Sequence, residues 1–182
     1  MPASFTRKIY SKWMRDAQLV KYEDIFLQFI LPLSQKLDFK KLKIIDIGIG
    51  PGWFEQELEQ RLGIGLDVVG IDLENIDNKL VKMVIADANN IPFKPTSFDF
   101  IFCLDSVHLI KRPGAMLRLL RPEGHLLISS FCSRYTAMEK RKEILRFFSK
   151  AKLLKESVVG DPKLEMSYVA LFKYFASSGQ NG

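Results

Sequence analysis

Residues 42–52, LKIIDIGIGPG, carry a short isoleucine-rich run straight into three closely spaced glycines. Such a run is too short for a buried helix and stops at a turn, so it reads as a strand buried on both faces. WFEQELEQRL, residues 53–62, follows as a helix with glutamate in its first turn, where the helix dipole favours negative charge. Strand, glycine turn and helix in that order build the carboxyl edge of a parallel sheet. Glycine there lets the backbone take left-handed dihedrals and lets a ligand approach closely.

The rest of the chain repeats the alternation. Strands are expected over residues 67–74, 81–88, 97–106 and 125–131, and short helices over 113–120 and 134–150, with a turn at 121–124. Residues 152–160 and 164–175 read as two closing strands joined only by a turn at Gly160–Asp161–Pro162, so they run antiparallel. Ahead of the sheet, residues 5–18 and 20–37 read as two helices; Pro32 lies inside the second and is expected to kink or end it. Strands alternating with helices imply βαβ units. The fold class expected is therefore α/β. It is a Rossmann-like three-layer sandwich around a mostly parallel seven-stranded sheet, with an antiparallel last strand and N-terminal helices. One domain is expected: a helical cover over 1–38, a core over 40–175, and a frayed tail over 176–182.

The glycine spacing limits the ligand. A dinucleotide fingerprint needs G-x-G-x-x-G, with a small third residue where helix packs on strand. Trp53 occupies that place and is far too large. No Lys-Ser or Lys-Thr follows the glycines, which excludes a phosphate-binding P-loop. Cys103 and Cys132 are the only cysteines and cannot form a disulfide framework, and no metal site is expected. No apolar run approaches the length of about 18 residues that a membrane helix requires. The first residues lack the apolar core of a secretory signal, so a reduced, cytoplasmic setting is expected.

Together IIDIGIGPG, VVGIDLE, ADANNIPF, SFDFIFCLDSVHLI and RPEGHLLIS, in this order, resemble the class I S-adenosylmethionine-dependent methyltransferases, nearest their small ubiquinone-biosynthesis-like branch. The resemblance spans roughly residues 40–131. It implies S-adenosyl-L-methionine as cofactor and S-adenosyl-L-homocysteine as product. It implies that Asp46 orients the loop and meets the cofactor's ammonium, and that Gly48, Gly50 and Gly52 admit its methionine part. Asp72 would accept from both ribose hydroxyls, and Leu73 would cover adenine. Asp87 and the backbone of Ala88 would read the adenine edge, and the backbone at Cys103 would face the methionine end. Tyr10 and Trp13 resemble an aromatic element that closes over the cofactor, although Ser11 stands where that element carries aspartate.

Methyl transfer is an in-line displacement in which positioning supplies much of the acceleration. Where the acceptor needs a base, His108 and Asp105, just after the fourth strand, are the candidates; His125, at the opposite end of the sheet, reads as structural. The fourth strand ends in CLDS, not in an Asn/Asp-Pro-Pro-aromatic motif, which argues against amino-group methylation of adenine or glutamine. Only FCSR separates the fifth strand from the next helix, so no substrate-capping insertion is expected there; Phe131, Arg134 and Tyr135 fall on the acceptor side, and Arg134 suits an anion. A small-molecule acceptor is the first expectation, with a homodimer possible and no membrane partner.

Two alternatives stand beside it. The basic stretch KRKEILRFFSKAK and a net charge of +6 fit an RNA or protein methyltransferase. A cofactor-binding protein without catalysis is the third reading.

Overall fold

The computed structural model describes residues 12–74 and 81–175, with the side chains of Lys12 and Trp13 left aside. An N-terminal helix, α1 (Lys12–Ile25), leads through a π-helical turn (Phe26–Ile30) into α2 (Leu31–Ser34). Then come β1 (Lys43–Ile47), α3 (Trp53–Leu62), β2 (Asp67–Asp72), β3 (Lys82–Ile85) and β4 (Phe98–Cys103). After two 3-10 turns the chain ends with β5 (Leu120–Cys132), α4 (Ala137–Phe147), β6 (Ala151–Asp161) and β7 (Glu165–Tyr174).

The seven strands form one sheet in the order β3-β2-β1-β4-β5-β7-β6. Strands β3, β2, β1, β4 and β5 are mutually parallel, and β7 runs antiparallel between β5 and β6. The order reverses beside β1, and the glycine turn leaves β1 at that crevice, where ligands bind in open α/β sheets.

Each face of the sheet carries its own core. One packs Ile45, Ile47, Ile101 and Ile128 with Phe148 and Phe172. The other packs Phe29, Phe39, Phe54, Phe100 and Phe102. Strict alternation sorts them: Ile44, Phe100 and Phe102 point one way, Ile45 and Ile101 the other. His125 is buried and stacks on Phe100 at 5.7 Å between centroids, and burial lowers its pKa.

Several boundaries differ from expectation. The described N-terminal region is one continuous helical run, without a break near residue 19. Pro32 does not end it. Pro32 sits in the first turn of α2, where proline is tolerated. That first turn directly follows the π-helical turn, in which the Leu31 amide donates to the Phe26 carbonyl, and Lys155 Nζ donates to the Gln28 carbonyl at 2.8 Å. Residues 113–119 form a 3-10 helix, not an α-helix. The expected turn at 121–124 lies inside β5, as an irregularity in its pairing with β4 where Glu123 takes a φ of 69°. Arg121 pins that irregularity to the Asp99 carboxylate at 2.8 Å. Strands β2, β3 and β4 stop two or three residues early, because their expected ends become ligand-facing loops. No described helix is long and apolar enough to cross a membrane.

Phe100 is fully buried and touches the rings of Phe39, Phe102 and His125. Phe100→Ala is expected to destabilise the fold by roughly 3–5 kcal/mol, read as a drop in the urea midpoint with an unchanged slope.

Candidate active site

The glycine turn takes its shape from two neighbours. Gly48, Gly50 and Gly52 have φ of 80°, 56° and 72°, a region open to glycine and costly for other residues. A Cβ on Gly48 would also come within 2.5 Å of Ser106, whose hydroxyl donates to the Ile47 carbonyl. The amides of Gly48 and Ile49 donate to the carbonyl of Ile71 at 2.8 and 3.1 Å, and the amide of Gly50 donates to the Asp72 carboxylate at 3.0 Å. The turn is thus hung from the carboxyl end of β2.

Above it opens a cavity of about 460 Å³, within the size range of small-molecule sites. Gly48, Gly50, Asp72, Leu73, Asp87 and Ala88 all line it. Asp87 accepts from the amide and the side chain of Asn89, both at 2.8 Å, and these bonds lower its pKa. The loop after β4 contributes Leu104, Asp105 and Ser106, and β5 contributes Phe131. Met14, Gln18 and Tyr22, spaced four apart along α1, close one side. Burial, reinforced by Asp105, raises the Tyr22 pKa, so it stays a neutral phenol.

Other expected residues lie elsewhere. Asp46 and Gly52 are behind the turn and do not line the cavity. Cys103 is fully buried, and burial pushes its thiol up to about 12; only its neighbour Leu104 reaches the cavity. His108 is exposed and outside the lining, because the 3-10 turn Val107–Leu109 sends Val107 into the core. Tyr10 and the side chain of Trp13 lie outside the described residues.

Asp105 lines the cavity, but its carboxylate is fully engaged. One oxygen accepts from Ser129 and Ser167 hydroxyls at 2.9 and 2.8 Å, and the other pairs with Lys21 Nζ. Lys21, completely buried, also pairs with Glu165, which accepts from Gln18 at 2.8 Å. The Lys21 ammonium lies 4.5 Å from the centre of the Phe131 ring. Sequence reasoning missed Lys21, Glu165, Gln18 and Tyr22. A helix stripe at 14, 18 and 22 was legible as spacing, but nothing in it announces a ligand-facing side.

It also missed Glu55. This side chain and Asp46 are both buried, and Asp46 Oδ1 and both Glu55 oxygens have no donor among the described residues. Desolvation raises the pKa of each, and on Glu55 repulsion from Asp46 adds to it. One proton held between them would join Asp46 Oδ1 to one Glu55 oxygen and leave the pair a single negative charge.

The sequence model of the methyltransferase domain matches residues 13–158. The chain belongs to the methyltransferase domain family. A solved S-adenosylmethionine-dependent methyltransferase from Aquifex aeolicus superposes with a TM-score of 0.65 at 19% identity, covering 94% of this chain and 98% of that one. An uncharacterized protein of Methanocaldococcus jannaschii is 23% identical over 168 residues, which is 87% of this methyltransferase and 77% of that protein. A ubiquinone biosynthesis O-methyltransferase of Stutzerimonas stutzeri is 22% identical over 144 residues, 70% of this chain and 61% of that protein. The expected class I methyltransferase family and its Rossmann-like fold are both met.

The buried acid pair sets a pH dependence. A carboxyl that holds its proton more tightly when folded costs stability as pH rises from its unfolded pKa, about 4.3 for glutamate, towards its folded one. Glu55→Gln keeps a donor for Asp46 and removes that cost. The variant is expected to melt a few degrees higher than wild type at pH 8 and no higher at pH 4, in thermal denaturation followed by circular dichroism.

Proposed function

We propose that this methyltransferase transfers a methyl group from S-adenosyl-L-methionine to a small-molecule acceptor, with the whole chain acting as one domain and α1 as its cover. The observation that carries this reading is the cavity: a left-handed glycine turn and two carboxylates, Asp72 and Asp87, at the carboxyl ends of neighbouring strands. These groups fit the cofactor. Asp72 accepts the Gly50 amide on one oxygen and the Glu74 amide, at 3.4 Å, on the other, and keeps further lone pairs for ribose hydroxyls. Exposed Leu73 offers a face to adenine, Asp87 and the Ala88 amide suit its edge, and the turn between Gly48 and Gly52 suits the methionine part. Bound there, the cofactor supplies a methyl group on a sulfonium sulfur and leaves as the uncharged thioether S-adenosyl-L-homocysteine.

The acceptor side is apolar. Leu109 and Phe131 are exposed at the mouth. Phe131 is shared with an open groove of about 550 Å³ that also contains Arg134, Tyr135 and Leu164. An apolar acceptor bearing an anionic group matches this lining. Neither expected base is favoured: His108 lies outside the cavity lining, and Asp105 is committed to three donors. The acceptor's proton therefore passes to water, and positioning carries the rate.

A macromolecular acceptor is less well supported. On the basic helix α4, Arg141 is bound to Glu156 at 2.8 Å and Lys140 to Glu143 at 3.0 Å. Two of the six cations in the stretch that suggested RNA are thus neutralised locally.

Titration calorimetry with S-adenosyl-L-homocysteine tests the reading. Wild type is expected to bind, and Asp72→Ala to keep the wild-type circular dichroism, melt a few degrees lower because the Gly50 amide loses its acceptor, and bind at least several-fold more weakly. Equal affinity would remove Asp72 from the site, and no binding by folded wild type would remove the function.

A further inference from the structure

Every charged side chain among the described residues that line the cavity is a carboxylate: Asp72, Asp87 and Asp105. Asp72 and Asp87 sit at the ends of β2 and β3. Asp105 sits at the end of β4, buried under α1, and belongs to a cluster whose formal charge does not cancel. Lys21 brings one positive charge, and Asp105 and Glu165 bring two negative ones.

Such a cluster is a poor device for stability. Removing charges from water costs more than their pairing commonly returns, and apolar packing in the same space is often as stable or more so. Here the cost is incurred beside the cavity, where one negative charge is left uncompensated on a cluster whose Asp105 is buried and whose Glu165 is partly exposed. A negative charge in such a place acts over several ångströms, because solvent screens it weakly. The other buried carboxyls nearby, Asp46 and Glu55, contribute a further negative charge when they hold one proton between them. Tyr22, the aromatic side chain closing the gap, stays uncharged. Phe131, over Lys21, shields that ammonium from the cavity.

Resting on the proposed cofactor, we infer that the Lys21–Asp105–Glu165 cluster makes the site prefer the sulfonium donor over the thioether product. The two ligands share their adenosine, ammonium and carboxylate and differ by one methyl group and one positive charge. Hydrogen bonds to the shared parts cannot separate them. A fixed net negative charge can, and it weakens the hold on the product once the positive charge is gone. Asp105 and Lys21 are positioning residues in this scheme, and Glu165 sets the balance.

The test is the ratio of dissociation constants for S-adenosyl-L-homocysteine and S-adenosyl-L-methionine, measured by calorimetry on wild type and two variants. Glu165→Gln keeps an oxygen for Lys21 and Gln18, is tolerated at a side chain 24% exposed, and brings the cluster to zero charge. It is expected to shift the ratio against the donor by about threefold or more. Lys21→Met with Glu165→Gln restores a net charge of minus one on Asp105 and is expected to restore the wild-type ratio or exceed it. A purely structural role would weaken both ligands alike and leave the ratio unmoved in Glu165→Gln, and that result overturns the inference. Failure of the double variant to recover the ratio, in protein whose circular dichroism matches wild type, overturns it as well. Wild type that binds neither ligand rejects the cofactor reading, a separate outcome.

Discussion

The carbonyl of Ile71 and the carboxylate of Asp72 hold the site together. Between them they accept the amides of Gly48, Ile49 and Gly50. A loop whose glycines sit in the left-handed region has lost its regular backbone partners, and buried amides without acceptors are costly. The end of β2 supplies those acceptors. Gly70 makes the fit possible, since a Cβ there would stand 2.6 Å from Ile49. The register of β1 on β2, Asp46 beside Gly70 and Ile47 beside Ile71, brings loop and acceptors to one height. A slip of one residue would turn the isoleucines out of the core.

The second constraint comes from the helix that covers the cavity. Helix α1 reaches the sheet through Lys21, bound to one carboxylate at the end of β4 and another at the start of β7. Asp24 adds a further tie, accepting the amide of Gly160 in β6 at 2.9 Å. These contacts tie the helix to β4 and to the β6–β7 hairpin, which lie apart in the sequence. They fix the helix angle, and with it the places of Met14, Gln18 and Tyr22 on the cavity. Asp105 adopts a φ of 55° in making its bonds, an uncommon conformation for a non-glycine residue. That strain is held by two serines and a buried lysine.

Legibility divided along physical lines. Helix α3 was read to the residue, because Gly52 and Gly63 bracket it and both take left-handed φ. The strands were placed but overrun at their carboxyl ends, since apolar patterning does not report where a strand stops pairing and a ligand loop begins. Pro32 misled because it sits in the first turn of α2 directly after a π-helical turn, a position that local pattern does not mark. Asp72 and Asp87 line the cavity at the strand ends where motif order puts them. Asp105 lines it too, but no local pattern tells a solvent-facing carboxylate from one already bound to three donors. Glu55 read as an ordinary first-turn glutamate, and only the packing of α3 on β1 reveals its burial.

The sequence by itself determined the alternation of strands and helices, the glycine turn, and hence the class of ligand the turn admits. These depend on periodicity and on backbone dihedrals, which neighbours along the chain control. The tertiary structure decided which carboxylates carry net charge into the cavity, which histidine lies outside its lining, and which helix side chains close it. Those properties depend on burial and on partners such as Lys21 and Glu165, 144 residues apart. A long-range charge contact leaves no mark on local pattern, because either side chain alone looks like an ordinary surface residue.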